Sequence, residues 1–151
     1  MPQDEKRERQ LDSDQTLAIL IVEDHEGTRD ALAMLLGAAF SDWGVSTVDS
    51  AERALEIVCA ANPTVVIMDI GLPGMDGFEG TRLIKATRPE TVVVMHSMHT
   101  DELYQARAAA AGASAFVSKV KASKDLVEVI RHLVQPGHAA SSIERAWPQA
   151  D

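Results

Sequence analysis

Residues 64–77 read TVVIMDIGLPGMDG. Thr64 to Met68 is a β-branched, apolar run without polar alternation, the pattern of a strand buried on both faces. It ends at Asp69 and then at a turn, Gly71-Leu72-Pro73-Gly74-Met75-Asp76-Gly77, whose glycines and proline permit tight backbone geometry. A strand buried on both faces belongs in a sheet covered by helices on either side, and the flanking sequence carries the matching elements.

Leu17 to Val22 and Thr91 to Met95 repeat the strand signal, and Gly44 to Val48 and Ala113 to Val117 are shorter versions of it. Between them the period changes. Glu26 to Phe40 places Ala31, Leu32, Leu35, Leu36 and Ala39 at helical spacing, and Ala51 to about Ala61 is a helix that Asn62-Pro63 ends. Phe78 to Thr87 is closed by Pro89, and Asp101 to Ala111 stops at Gly112. Ser123 is the expected N-cap of a last helix through Val134, with Lys124, Glu128 and Arg131 on its wet face. Five strands alternating with five helices specify an α/β fold, a parallel sheet with helices on both faces. Right-handed crossovers put the carboxyl end of every strand on one edge, where such sheets bind ligands.

The 151 residues suit one domain, with 46% hydrophobic and 25% charged residues. No apolar run approaches the roughly 20 residues of a membrane span, and the polar start at Met1 to Gln15 is no signal peptide. Eight charged side chains in residues 1–15 make that stretch an expected disordered leader. Residues 16–135 are the folded body, and 136–151, opening on Pro136-Gly137, are a linker or tail. There Ile143 and Trp147, four apart, offer a short docking helix as the alternative. A single cysteine, Cys59, rules out an internal disulfide and points to a reducing, cytoplasmic setting, with the thiol packed on the second helix. Fourteen basic against twenty-three acidic residues leave −9, which opposes binding to nucleic acid or an anionic membrane by this chain alone.

At the functional edge the first strand is followed by Glu23 and Asp24, the third by Asp69 and the fourth by Ser97, while Lys119 ends the fifth. Three carboxylates converging at one mouth repel one another unless a cation sits among them, and a hard divalent ion, Mg²⁺ before Ca²⁺, fits oxygen ligands of this kind. A lysine and a hydroxyl beyond it suit the oxygens of a phosphoryl group, for which Asp69 would be the nucleophile.

This ordered set resembles the response regulator receiver domain, the CheY-like family: Met68 to Gly77 with Glu23-Asp24 upstream and Ser97 and Lys119 downstream, over roughly residues 16–135. The resemblance implies a flavodoxin-like, doubly wound sheet of order 2-1-3-4-5. It implies phosphoryl transfer to Asp69 from a sensor histidine kinase or a histidine phosphotransfer protein, with homodimerisation as one output and no turnover activity as an enzyme. Glu23, Asp24, Asp69 and the Gly71 backbone carbonyl would hold Mg²⁺, Ser97 and Lys119 would contact the phosphoryl oxygens, and Phe116 would be the aromatic switch. The chain departs from the usual family pattern at Val120, which stands where proline commonly follows the lysine, and at Met98, His96 and Gly71. The Lys119-Val120 junction and Met98 resemble the receivers that precede LuxR-type DNA-binding domains.

Each element also has a plainer role. Glu23-Asp24 can be a solvated strand end, Asp69 the start of a Pro-Gly turn, Lys119 a surface lysine and Ser97 a helix cap competing with Thr100. His25, His96 and His99 raise the alternative of a transition-metal site, without a ligand set at tetrahedral spacing. Ala108 to Ala111 suits a thinly covered or close-packed helix, and Trp43 belongs to no constellation. Two other functions compete: a degenerate receiver acting as a constitutive interaction domain, and an aspartyl-nucleophile phosphatase, which would need a second aspartate where Gly71 stands.

Overall fold

The structure, a computed structural model, describes residues 17–120 and 123–135; the leader over 1–15 and the tail over 136–151, with Ile143 and Trp147, lie outside the described residues. Strand and helix alternate as β1 (Ala18–Val22), α1 (Glu26–Ala39), β2 (Gly44–Val48), α2 (Ala51–Ala61), β3 (Val65–Asp69), α3 (Gly77–Thr87), β4 (Val92–Ser97), α4 (Glu102–Ala111), β5 (Ala115–Ser118) and α5 (Ser123–Leu133). The strands form one parallel sheet in the order β2-β1-β3-β4-β5. Strand order reverses between β1 and β3, so the crevice at their carboxyl ends, just past Val22 and Met68, is where such a sheet accepts a ligand.

The two-residue period of the strands divides the core into two layers. Leu20, Val22, Val66, Met68, Val93, Met95 and Phe116 face α2, α3 and α4, where Ala51, Ala54, Val58, Phe78, Ile84 and Ala108 close the layer. Ile19, Ile21, Val65, Ile67, Val94 and Val117 face α1 and α5, against Leu32, Leu36, Leu126 and Ile130. All five residues of β3 are buried, which is why its sequence shows no alternation. Trp43, for which the sequence offers no role, packs against this second layer with its ring 5.3 Å from that of Phe40.

Helix ends follow local chemistry. Ser50, Asp76 and Asp101 cap α2, α3 and α4, accepting from the backbone N–H of Arg53, Glu79 and Tyr104. Asn62 and Gly112 end α2 and α4 in the left-handed region. Ser97 and Thr100 therefore give way to Asp101 as the cap of α4. Ser123 is the first residue of α5. Cys59 is exposed on α2 and not packed, because Ala51, Ala54 and Val58 already supply that helix's buried stripe. Of the alanine run, Ala108 is buried while Ala109 and Ala110 face outward, so α4 is a thinly covered helix. No helix among the described residues is long and apolar enough to cross a membrane.

On one face of α1, Leu36 is completely buried, whereas Met34 is 78% exposed. Leu36→Ala should cost about 2–5 kcal/mol through lost transfer energy and a cavity. Met34→Ala should change stability by less than about 0.5 kcal/mol. Urea denaturation followed by circular dichroism checks both, and similar losses at the two positions would contradict the packing described.

Candidate functional site

Glu23 follows β1 directly, and its backbone N–H donates to Val48 O at 3.1 Å, extending the sheet pairing by one residue. The side chain is 1% exposed, an expensive place for a carboxylate unless it is paired. Lys119, one residue beyond β5, provides the partner: its Nζ donates to Glu23 Oε2 at 2.7 Å and lies 3.2 Å from Asp69 Oδ1. Asp69 itself is the last residue of β3, buried at 8% exposure. Burial alone would lower the Lys119 pKa, but the hydrogen bond to Glu23 and the charges of Asp69 and Glu23 outweigh it and hold the ammonium above the usual lysine range.

Asp24 sits beside this pair. Its Oδ1 is shielded from water yet has no hydrogen-bond partner. His25 Nδ1 lies 3.7 Å from Asp24 Oδ1 and 3.7 Å from Glu23 Oε1, and the His25 backbone N–H donates to Glu23 Oε1 at 3.3 Å. Arg29 donates to the Glu23 carbonyl oxygen at 3.2 Å from the first turns of α1. Among the described residues, Glu23, Asp24 and His25 are the group whose donor atoms gather within 4.8 Å of one another. Asp69 joins them through Lys119. An oxygen-rich donor set with one shielded, unpartnered carboxylate oxygen fits a hard divalent cation. The turn Gly71 to Gly77 folds back on the end of β3, with the Gly77 N–H donating to Ile70 O at 3.0 Å.

Ser97 ends β4, buried, and its Oγ accepts from the His99 backbone N–H at 3.0 Å. The Lys119 N–H donates to Ser97 O at 2.8 Å, so the hydroxyl and the ammonium are carried by directly bonded backbones. Phe116 lies on β5 in register with Met95 of β4, 1% exposed within the layer under α2, α3 and α4. Val120 is exposed, its N–H donating to Ser118 Oγ at 3.0 Å. Every peptide bond in the described residues is trans, that before Val120 included.

The histidines do not converge. His99 stacks on Tyr104 at 4.9 Å between ring centroids, and Tyr104 continues to Phe78 at 5.8 Å. His96 is buried at the register position beside Asp69 and lines a cleft of about 450 Å³ with Leu32 and Leu35 of α1, Leu126 of α5, Met98 and Lys119. Its Nδ1 has no hydrogen-bond partner, and burial followed by the charge of Lys119 lowers its pKa to about 4. The transition-metal set of His25, His96 and His99 is therefore replaced by His25 alone beside the two acids. Sequence reasoning also missed Glu52, which accepts from the Met75 N–H at 2.7 Å; an acid in the first turn of a helix looks like ordinary compensation of the helix dipole.

Comparison with known proteins points one way. Residues 19–131 match the response regulator receiver domain. The chain is 37% identical over 123 residues to the transcriptional activator protein ExaE of Pseudomonas putida, covering 82% of this chain and 57% of that protein. It is 31% identical over 121 residues to the transcriptional regulatory protein DegU of Brevibacillus brevis, covering 80% and 51%. It thus spans about half the length of the curated relatives it matches. A solved two-component response regulator of the LuxR family from Aurantimonas sp. SI85-9A1 superposes with a TM-score of 0.75 at 27% identity, covering 87% of this chain and 94% of that one.

His96 ties stability to pH. Its pKa is about 4 folded against 6.5 for the free side chain, so between those values the unfolded chain holds more protons and stability falls as pH falls. Above 6.5 the contribution is fully present, and below it the slope reaches at most about 1.4 kcal/mol per pH unit. His96→Leu should flatten the fall in unfolding free energy between pH 6.5 and 4.5 by about that slope. Parallel curves for parent and variant, measured by urea denaturation, would assign the whole loss to other groups.

Proposed function

Because the chain belongs to the response regulator receiver domain family, we propose that it accepts a phosphoryl group on Asp69 from a sensor histidine kinase or a histidine phosphotransfer protein. The observation that carries this reading is the Lys119 ammonium held between Glu23 and Asp69 at the carboxyl edge of the sheet, 2.7 and 3.2 Å from their oxygens. An Asp69 oxygen attacks phosphorus, the P–N bond of the donor phosphohistidine breaks with its electron pair left on the imidazole, and an acyl phosphate results. Lys119 supplies fixed positive charge to the phosphoryl oxygens. Ser97 Oγ, bound to the His99 N–H, has a hydrogen to donate to a phosphoryl oxygen once it turns towards Asp69. Glu23, Asp24, Asp69 and the Gly71 carbonyl are the groups that would hold Mg²⁺, which when bound offsets the negative charge of carboxylates and phosphoryl group together.

The output follows from packing. Ser97 moving towards the phosphate opens space behind it, and Phe116, on the neighbouring strand, is the buried ring able to take it. The face built by α4, β5 and α5 then changes, presenting a surface for a partner or a second copy of the chain. The state change is a shift in population whose size is set by how much better the phosphoryl group binds the active form. The chain is on this reading a cytoplasmic signalling module and not a turnover enzyme, and its net charge of −9 disfavours nucleic acid and anionic membranes as direct partners. Regulation of transcription, named in the relatives ExaE and DegU, is the pathway class this surface would serve.

With Mg²⁺ and phosphoramidate or acetyl phosphate the parent should gain one phosphoryl group by intact mass, and Asp69→Asn should gain none. Labelling of Asp69→Asn with loss in Asp24→Asn would place the nucleophile elsewhere, and steady phosphate release from general monoesters would favour a phosphatase. Mg²⁺ at ten times its Kd should raise stability by about 1.4 kcal/mol over chelator. Equal melting temperatures in the two conditions would count against the ion site.

A further inference from the structure

The loop that leaves Asp69 is fastened from outside. Glu52, in the first turn of α2, accepts a hydrogen bond from the Met75 backbone N–H at 2.7 Å, across 23 residues of sequence. The same carboxylate stands against Gly74, whose φ is +74°; a Cβ there would lie 3.1 Å from Glu52 Oε1. At the other end of the loop, a Cβ on Gly77 would meet the Asp69 carbonyl oxygen at 2.1 Å, and the N–H groups of Leu72 and Gly77 both donate to Ile70 O, at 2.9 and 3.0 Å. Residues 70–77 are thus folded hard against the end of β3, and Glu52 joins them to an element that belongs neither to β3 nor to α3.

We propose that Glu52 is a positioning residue for the phosphoryl-accepting site: by holding the Met75 N–H it fixes the loop that leaves Asp69 and carries the Gly71 carbonyl, the two groups that serve the cation. The inference rests on the assignment of Asp69 and Mg²⁺ above. Glu52 touches no reacting atom, so it acts through the backbone alone. With the bond absent, the loop must be ordered by the ion itself, and the cost falls on ion affinity. Once the ion saturates, the same geometry is reached and the chemical step proceeds as before. A first-turn acid acting only on the dipole of α2 would instead affect helix stability, with no link to the ion.

The test uses the full chain as parent, Glu52→Ala and Glu52→Gln. Mg²⁺ affinity is read from the amide shifts of Gly71 and Gly74 in a titration, and phosphorylation by phosphoramidate is followed at each Mg²⁺ concentration. Glu52→Ala should weaken Mg²⁺ about fivefold, the worth of one ordinary hydrogen bond, and raise the Mg²⁺ needed for half-maximal rate by the same factor. Its rate at saturating Mg²⁺ should stay within about twofold of the parent. Glu52→Gln keeps an oxygen acceptor and should match the parent. If Glu52→Gln behaves as Glu52→Ala does, the effect is one of charge and the proposal falls; if Glu52→Ala binds Mg²⁺ like the parent, it falls as well. A parent that neither binds Mg²⁺ nor takes the phosphoryl group would overturn the reading of the site itself, an outcome distinct from equal behaviour of parent and variants.

Discussion

Two carboxylates drawn out of water at one end of a sheet must be given positive charge, and this requirement organises the functional edge. Glu23 is almost completely buried, and Asp69 nearly so. Desolvating both without compensation would cost several kcal/mol per ion, more than a typical margin of folding stability can absorb. Lys119 meets the need from the opposite side of the strand order, with Nζ within 3.2 Å of both side chains. The fold makes the arrangement possible because parallel strands deliver all their carboxyl ends to the same edge. The arrangement in turn leaves one ammonium at the place where an incoming anion would need it.

The fold was legible because burial on both faces removes the polar alternation from β1, β3 and β4, while the helices between them keep a helical period. Boundaries moved by a residue or two where hydrogen bonding outlasts hydrophobicity: Asp69 and Ser97 close their strands, although each looked like the first residue of a loop. Cys59 was misplaced because a small, weakly polar side chain carries no directional signal, and the stripe of α2 was already filled by its neighbours.

At the carboxyl edge the strand-end positions were legible and the contacts among their side chains less so. The residues of the edge follow from counting strand ends, and the structure brings Glu23, Asp69 and Lys119 into contact. That His25 joins the acids while His96 turns to the cleft under α1 and α5 depends on side-chain direction at the ends of two strands, which spacing alone does not specify. Glu52 was invisible for a different reason. Its contact joins α2 to a loop with no sequence pattern of its own, and a carboxylate on a helix start has an innocent explanation.

The bond between Lys119 and Glu23 spans 96 positions. A ribosome has therefore released nearly the whole folding unit before the two can meet, and any species lacking β5 in its place leaves the acids of β1 and β3 without their countercharge. The charge balance of the edge is in this way deferred to the end of assembly. Half-built or misfolded copies carry the acids but not the ammonium beside them, so the edge itself distinguishes finished molecules from unfinished ones.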